Sequence, residues 1–255
     1  MNTSHRHFSA VIHRDSLLED GVRVAPFVVV EADVEVGAGT SLLAGTVLQS
    51  GSRIGKNCKL GPYATVGGEP MDARYRGEDS YAVLEDDVVL RDFATVHRAT
   101  GPGAETRVGK GTLVMSYGHV SHNVQVGRDC VLTTSVQLGG HVEVGDFAYL
   151  GSTALVHQFA RVGSHAILGA GSAANRDILP YSMARGNPAR HYRLNRVGLQ
   201  RTGIQGDSYK ALEGAVRAFR RRDWPKLEAL AAASEEVRLM VEFKASSSRG
   251  ICAFV

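Results

Sequence analysis

Residues 108–168, written six at a time, read VGKGTL VMSYGH VSHNVQ VGRDCV LTTSVQ LGGHVE VGDFAY LGSTAL VHQFAR VGSHAI L, so an aliphatic residue opens every group. The register extends back to Ile12, and 24 of the 27 positions from Ile12 to Leu168 are Val, Ile or Leu. A helix repeats its apolar face about every 3.6 residues and a strand about every 2, so neither explains this period. A six-residue period is typical of a solenoid in which three short sides make a coil of about 18 residues.

Two other positions of the hexad fit such a coil. The residue two before the aliphatic is usually small, as at Ala148 and Ala154, which suits side chains crowded towards a narrow axis. Glycine follows the aliphatic at 11 places, among them Gly109 and Gly127. We expect the chain to turn a corner at these glycines, where a side chain would be costly. The sequence therefore predicts an all-β solenoid with aliphatic side chains stacked in columns.

The predicted solenoid occupies residues 1–186 and is interrupted at 67–82 and 97–107, after which the register resumes. Long excursions add nothing to a solenoid core, so we expect these two loops to serve binding or assembly. Residues 187–255 are predicted to form a helical domain that covers the apolar end, with Trp224 in its core. Pro225 suits the first turn of the middle one of its three predicted helical segments.

Composition limits the possible functions. No apolar run approaches the roughly 18 residues of a membrane span, and the N-terminus lacks a secretory apolar segment, so no membrane insertion and a cytoplasmic location are expected. Aromatic residues make up only 7% and are not interleaved with basic ones, which argues against nucleic acid. From Arg185 to Arg222 there are 10 Lys and Arg against two acids. This segment predicts an acidic partner, although a merely solvated helix face remains the alternative.

Histidines recur at the spacing of the coil. Division by 18 leaves remainders of 14 for His122, 15 for His141 and 13 for His157, so three successive coils place a histidine near one edge. Neighbouring coils lie about 4.8 Å apart, as strands of one sheet do. His119 lies three residues from His122 on the same coil. We therefore expect a stack of imidazoles at this edge.

Two roles are open to these imidazoles. Three of them could hold zinc with one position left open, as in metal-dependent hydrases built on such a solenoid. Alternatively, one neutral imidazole is a general base and the others bind substrate. Gly139 and Gly140 offer unhindered backbone N–H groups for an oxyanion, and Gln158 beside His157 is poorly suited to a metal. The neighbouring residues thus favour the second role, and no metal is expected.

Several motifs resemble one family. The hexads, the Gly-Glu-Pro-Met-Asp-Ala-Arg-Tyr segment at 68–75, the His-Val-Ser-His segment at 119–122, Gly140-His141 and the Val-His-Gln-Phe segment at 156–159 resemble the UDP-N-acetylglucosamine O-acyltransferases, the first enzymes of lipid A synthesis. The similarity runs through nearly the whole chain, including Gly186-Asn187 and the helical tail. The hexads are shared by a superfamily, whereas the spaced motifs are more selective.

The resemblance implies a fold, an assembly and a reaction. It implies a left-handed parallel β-helix and a homotrimer with active sites between subunits. The reaction would move a 3-hydroxyacyl group from acyl carrier protein to the 3-hydroxyl of UDP-N-acetylglucosamine, with no cofactor. His122 would be the base that deprotonates this hydroxyl, and the Gly140 N–H would hold the developing oxyanion. The substrate-binding positions carried over are Asp72, Arg74, His119, Asn123, His141, His157, Gln158, Asn195 and Arg201. Ala170 lies where the family tunes the end of its acyl groove, and its methyl group suggests a shorter chain.

Three positions depart from the family pattern. Asn123 follows the base where Asp is usual, so an acidic partner for the imidazole is expected to be absent, while Val197 and Thr202 replace a usual Glu and Arg. These departures leave open a 3-amino sugar acceptor that would give an amide, or a scaffold without activity. The related N-acyltransferase of the same pathway is a weaker match, because the loop with Asp72 and Arg74 fits the O-acyltransferase better.

Overall fold

A computed structural model describes residues 6–255, so residues 1–5 of the predicted solenoid lie outside the described part. Short strands follow one another at the hexad spacing. In chain order they are β1 (Val11–Ile12), β2 (Leu17–Leu18), β3 (Arg23–Val24), β4 (Val29–Val30), β5 (Glu35–Val36), β6 (Ser41–Leu42), β7 (Val47–Leu48), β8 (Ser52–Ile54), β9 (Lys59–Leu60), β10 (Thr65–Gly68), β11 (Tyr81–Leu84), β12 (Val89–Leu90), β13 (Thr95–His97), β14 (Glu105–Val108), β15 (Leu113–Val114), β16 (His119–Val120), β17 (Gln125–Val126), β18 (Val131–Leu132), β19 (Gln137–Leu138), β20 (Glu143–Val144), β21 (Tyr149–Leu150), β22 (Leu155–Val156), β23 (Arg161–Val162), β24 (Ile167–Leu168), β25 (Ala173–Ala174), β26 (Ser182–Arg185) and β27 (Arg190–Leu194).

Every third strand pairs in parallel, which gives three sheets around a triangular prism. Sheet 1 runs from β1 to β25, sheet 2 from β2 to β23, and sheet 3 from β3 to β24 and on to β26 and β27. Among the strand pairs within residues 6–255, only that of β26 and β27 is antiparallel. The predicted fold class is confirmed: the chain forms a left-handed parallel β-helix. Aliphatic hexad residues such as Leu138 and Val156 fill its interior, together with the small residues two positions earlier.

Glycine is needed after the aliphatic residue of the hexad for a different reason than expected. A methyl group on Gly109 would lie 2.6 Å from the backbone of Gly127 in the next coil. The corners themselves are turned two residues later, where residues such as Asn123, His141 and Phe159 adopt φ near +60°. Glycine is therefore required after the aliphatic because adjacent coils approach closely, and the left-handed corner is filled mostly by other residues.

Both interruptions of the repeat leave the prism at the same edge. Because β10 and β11 extend into the first, its irregular part is residues 69–80, called loop 1 here. The second is similarly reduced to residues 98–104, called loop 2. Each loop connects a strand of sheet 1 to a strand of sheet 2. We call this corner of the prism the 1–2 edge, and name the other two corners in the same way.

The C-terminal part is helical after β27. Its helices are α1 (Arg196–Arg201), α2 (Gly206–Arg221), α3 (Trp224–Ala233) and α4 (Glu235–Ala245). Pro225 lies in the first turn of α3, as predicted, and Asp223 caps that helix. Apolar residues of α2 and α4, among them Leu212 and Met240, form a second core. Trp224 was expected in this core, but it is 44% exposed and lies against Lys244 because it occupies the first position of α3.

One buried ion pair links the solenoid to the helices. Asp177 is 1% exposed and accepts hydrogen bonds from the Arg161 backbone N–H (2.8 Å), Arg161 Nε (2.9 Å) and the Ser247 hydroxyl (2.7 Å). The Arg161 guanidinium also lies over the Phe243 ring, 4.2 Å from its centre. A charge removed from water in this way is stable only with its partners in place. Asp177 therefore holds α4 and the C-terminal segment against the last coils.

Candidate active site

The predicted histidines lie along the 1–2 edge with both loops. His122, His141 and His157 all fall between a strand of sheet 1 and the next strand of sheet 2. The edge is therefore correctly predicted, but the rings do not form one continuous stack. His122 meets His141 edge-on, with ring centres 5.2 Å apart, and the ring stacked on His141 is Phe159, at 4.6 Å.

His122 is buried and held in one tautomer. Asn123 Oδ1 accepts the Thr100 backbone N–H at 3.0 Å, while the Asn123 amide donates to the Thr100 carbonyl at 3.0 Å. With its orientation fixed in this way, Asn123 Oδ1 also accepts the His122 Nδ1–H at 3.0 Å. The proton of the neutral imidazole therefore sits on Nδ1, and Nε2 is available to accept a proton.

Gly140 provides both space and a donor beside this nitrogen. A methyl group there would lie 2.5 Å from His122 Cε1 and Nε2, so only glycine accommodates the ring. The Gly140 N–H has no acceptor within residues 6–255. The N–H of Ser50, at the matching position on the same edge, donates to the Glu31 carboxylate at 3.0 Å. This corner N–H can thus bind an anionic oxygen, as an oxyanion donor must.

Loop 1 carries a carboxylate to the base. Asp72 accepts hydrogen bonds from the Arg74 guanidinium (Nη2 at 2.9 Å) and from the Arg74 backbone N–H (2.9 Å), which hold the pKa of Asp72 well below its usual range. Its Oδ2 lies 3.8 Å from His122 Nδ1. The expected absence of an acidic partner is therefore wrong, because a residue distant in sequence supplies one. Arg74 Nη2 also donates to His141 Nε2 at 3.3 Å.

A further histidine belongs to this region and was missed from the sequence. His97 meets His119 edge-on at 5.0 Å, and its Nδ1–H donates to the Glu69 carbonyl at 2.7 Å. Division of the residue number by 18 does not place His97 on the histidine edge, because loop 2 makes the following coil longer than 18 residues. The hexad register does find it, since His97 is the first residue after an aliphatic, as His157 is.

Burial keeps most of these imidazoles neutral. Burial chiefly, with positive charge on His97 and His122 as a smaller cause, lowers the pKa of His119 to about 4. The pKa of His97 and that of His141 are also lowered, in each case chiefly by burial. Neutral imidazoles both donate and accept hydrogen bonds. They are suited to binding the hydroxyl and amide groups of a sugar.

An apolar cleft of about 480 Å³ continues from the histidines along sheet 1. The polar residues of its lining include His119, His157 and Gln158, and its walls include Met71, Leu138, Gly139, Leu155, Val156, Ala173, Ala174 and Pro188. Its lining suits an acyl chain. Ala170 is not part of this lining, because it is an exposed residue between β24 and β25 at the 3–1 edge. Its role in limiting the acyl chain remains a prediction.

The structure favours a base over a metal site. His157 is exposed, its Nδ1–H donates to the Gln158 carbonyl at 3.0 Å, and it has no contact with the His122 ring. Atoms of Asp72, His122 and His141 do lie within 4.8 Å of one another. However, the Arg74 guanidinium occupies the carboxylate and opposes a cation there. This arrangement fits protein-only acid–base chemistry.

Asn195 and Arg201 lie elsewhere on the chain. With residues that include Phe147 and His165 of the 2–3 edge, they line a separate cleft of about 350 Å³. Asn195 is buried and caps α1: its Oδ1 accepts the Gly198 N–H at 3.0 Å, and its amide donates to the His165 carbonyl at 2.8 Å. The structure thus gives Asn195 a structural task, and contact of either residue with substrate remains a prediction.

Comparison with known proteins places the chain in a family. The model of the bacterial transferase hexapeptide (six repeats) matches residues 33–68, and that of UDP-N-acetylglucosamine O-acyltransferase, domain 2, matches residues 177–252. The acyl-[acyl-carrier-protein]–UDP-N-acetylglucosamine O-acyltransferase of Thermodesulfovibrio yellowstonii is 31% identical over 253 residues, covering 96% of this chain and 98% of the relative. The chain belongs to the UDP-N-acetylglucosamine O-acyltransferase family.

Other relatives and solved structures of this family agree. The Burkholderia thailandensis O-acyltransferase is 36% identical over 204 residues, covering 76% of this chain and 78% of the relative. The Francisella novicida UDP-N-acetylglucosamine acyltransferase structure has a TM-score of 0.93 at 29% identity, covering 97% and 93% of the two chains. The structure of the UDP-N-acetylglucosamine acyltransferase from Campylobacter jejuni has a TM-score of 0.89 at 30% identity, and the match covers 98% of this chain and 99% of that one. None of these names describes a hydrase, so they lend no support to the zinc alternative. No helix within residues 6–255 is long and apolar enough to cross a membrane.

Proposed function

We propose that this family member transfers a 3-hydroxyacyl group from acyl carrier protein to the 3-hydroxyl of UDP-N-acetylglucosamine, the first step of lipid A synthesis. The observation that carries the proposal is the pairing of His122 and Gly140. The free Nε2 of a buried, tautomer-locked imidazole lies beside a backbone N–H with no acceptor in the described chain. This pairing supplies the two groups that acyl transfer to an alcohol requires.

The reaction follows from these two groups. His122 Nε2 takes the proton of the sugar hydroxyl as its oxygen attacks the thioester carbonyl carbon. The negative charge that develops on the carbonyl oxygen is held by the Gly140 N–H. The C–S bond then breaks, and the imidazolium returns the proton to the thiolate that leaves with acyl carrier protein. The hydroxyl oxygen ends in an ester, and no oxidant, metal or cofactor enters the balance.

Product analysis tests the acceptor. Incubation of the purified protein with 3-hydroxyacyl carrier proteins of several chain lengths and UDP-N-acetylglucosamine should give an acylated nucleotide by mass spectrometry. Its acyl group should be released by mild base, as an ester is. A product formed only from a 3-amino sugar nucleotide, stable to mild base, would replace the proposal by the amide-forming alternative. If no donor gave a product, a scaffold without activity would be the remaining alternative.

The cytoplasm is the proposed location of this reaction.

The separation of the two clefts supports a homotrimer. His122 lies at the 1–2 edge and Arg201 near the 2–3 edge, so the full width of sheet 2 separates them in one chain. If both contact the same nucleotide, they come from different subunits. A ladder of stacked, half-exposed rings on the 3–1 edge, Tyr63, Phe93 and Tyr117 with centres 5.2 Å apart, offers apolar surface for a neighbouring copy.

Mixing two inactive variants tests the shared site. His122→Ala and Arg201→Ala proteins, denatured together and refolded, should regain activity, because some sites in mixed trimers contain both native residues. Light scattering should show a mass of three chains. The shared site would be contradicted if the activity of the refolded mixture did not exceed the sum of the activities of the separate variants, or if light scattering showed the mass of one chain.

The donor is proposed to dock at the basic segment. Four arginines (Arg193, Arg196, Arg217 and Arg220) and one acid, Glu213, line a cleft of about 550 Å³ between β27 and α2. Reversal of Arg220, Arg221 and Arg222 to Glu should raise the KM for acyl carrier protein about tenfold or more, because charge steers association.

Two controls distinguish docking from catalysis. The triple variant should use a small acyl thioester, which lacks the acidic protein, as well as the parent does. Arg238→Glu, on the exposed side of α4, should leave the KM for the carrier unchanged. An unchanged donor KM in the triple variant would remove the basic segment from the proposal.

A further inference from the structure

The acidic partner of His122 comes from loop 1. Among the described residues, Asp72 is the carboxylate that approaches the His122 imidazole within 4.0 Å, at 3.8 Å between Oδ2 and Nδ1. Both side chains are about one-tenth exposed, at 10% and 9%. Their interaction is therefore only weakly screened by water.

Asn123 cannot take over this charge, and its surroundings explain why it is an amide. Its Nδ2–H donates to the Thr100 carbonyl at 3.0 Å, and its Oδ1 accepts the Thr100 N–H at the same distance. A carboxylate at this position would bring a charged oxygen against the carbonyl oxygen of loop 2. Asn123 therefore matches the backbone of loop 2 and orients the imidazole, but it contributes no charge.

Arg74 fixes the carboxylate in place. Its backbone N–H, Nε and Nη2 all donate to Asp72, at 2.9, 3.2 and 2.9 Å. Nη2 also donates to His141 Nε2 at 3.3 Å, which ties loop 1 to the coil above His122. The ionised carboxylate is thus aimed at the base by the structure of the loop and does not depend on a bound sugar.

We propose that Asp72 is a positioning residue that supplies the negative charge for the His122 imidazolium. A single neighbouring acid would both orient the imidazole and balance its charge, whereas here Asn123 orients it and Asp72 balances the charge. This inference rests on the proposed acyl transfer. When Nε2 takes the proton of the sugar hydroxyl, Asp72 stays ionised and balances the imidazolium. When the imidazolium passes that proton to the departing thiolate, the original charges are restored.

The other groups around His122 do not supply this charge. Loop 1 also contributes the Arg74 guanidinium, β13 contributes His97, β16 contributes His119, and the next coil contributes His141. Arg74 is cationic, and the three imidazoles are either neutral or cationic, so none of the four groups is negative. Asp72 is therefore the only negative charge among these neighbours.

Opposite changes of charge in loop 1 test the inference. The base works as neutral imidazole, so kcat/KM for the nucleotide should rise with pH along an acid limb set by His122. Asp72→Asn removes the charge that favours imidazolium, so it should move this limb to lower pH by about one unit and lower the plateau. Arg74→Gln removes a nearby positive charge, while the backbone N–H of residue 74 and the new side-chain amide can still donate to Asp72, so it should move the limb to higher pH. If both variants raise only KM and leave the limb in place, Asp72 merely binds the sugar.

A second measurement needs no turnover. The His122 ring proton signals can be followed by NMR across pH in the free protein, with His122→Ala to assign them. Their titration should move in the same opposite directions in the two variants. If the ring titrates identically in Asp72→Asn and the parent, this inference fails. The acyl transfer itself is tested separately by product formation.

Asn123→Asp is the companion variant. If one neighbouring acid were simply better, this change would raise kcat. The contact with Thr100 predicts the reverse, with a lower kcat and easier proteolysis at loop 2. Activity equal to or above that of the parent would overturn the division of roles.

Discussion

Replacement of His122 by Ala is expected to lower kcat by roughly 10²–10⁴-fold, which is the usual contribution of a positioned base. The ring is buried, its Nδ1–H is held by Asn123, and its Cε1 and Nε2 atoms lie against Gly140. The solenoid should persist, because His122 lies at a corner outside the aliphatic columns. Initial rates at saturating donor and acceptor measure the effect.

Gly140→Ala is the matched variant for the same assignment. It keeps the backbone N–H, but its methyl group would lie 2.5 Å from the imidazole, so the base or the corner must move. A large loss of kcat is expected here as well. Near-normal turnover of His122→Ala, with an unchanged circular dichroism spectrum, would refute His122 as the base.

Asp177→Ala is expected to destabilise the protein by about 3–5 kcal/mol, the usual cost of removing one partner of a buried ion pair. The change leaves Arg161 Nε, the Arg161 backbone N–H and the Ser247 hydroxyl without their acceptor. Because the carboxylate joins the last coils to the segment after α4, that region should open first. The midpoint of urea unfolding and hydrogen exchange in α4 measure the loss.

The chain contains its own control for this prediction. Asp146 accepts hydrogen bonds from the Arg128 backbone N–H (3.0 Å) and Nε (3.1 Å) with the same geometry. The Arg128 side chain is, however, 59% exposed and that of Asp146 is 42% exposed. Exposed ion pairs contribute little, so Asp146→Ala should cost less than about 1 kcal/mol. Equal losses in the two variants would show that burial does not determine the effect.

The fold was predictable because one short period governs most of the chain. An aliphatic at every sixth position permits only columns inside a three-sided coil, and the structure places Leu138 and Val156 in those columns. The 1–2 edge was predictable too, since His122, His141 and His157 differ by nearly whole coils. The reason for the hexad glycines was not, because the approach of Gly109 to the backbone of Gly127 depends on how the coils stack.

The site was predicted only where its residues follow the coil. The positions of His122 and Gly140 follow from counting residues, but His97 escaped the count because loop 2 shifts the numbering. Asp72 was carried over as a sugar contact, whereas its approach to His122 depends on how loop 1 folds back. Asn195 matched the family pattern, yet capping α1 is a contact that no repeat encodes.

The prism, the edge that carries the histidines and the family can all be read from the order of residues, because each depends on a local periodicity or on short motifs. Three contacts of the site and the C-terminal part are visible only in the folded chain: Asp72 with His122, Asn123 with Thr100, and Asp177 with Arg161. These contacts join irregular segments that lie far apart along the chain. Their geometry is set by packing against the finished solenoid, so no spacing in the sequence records it.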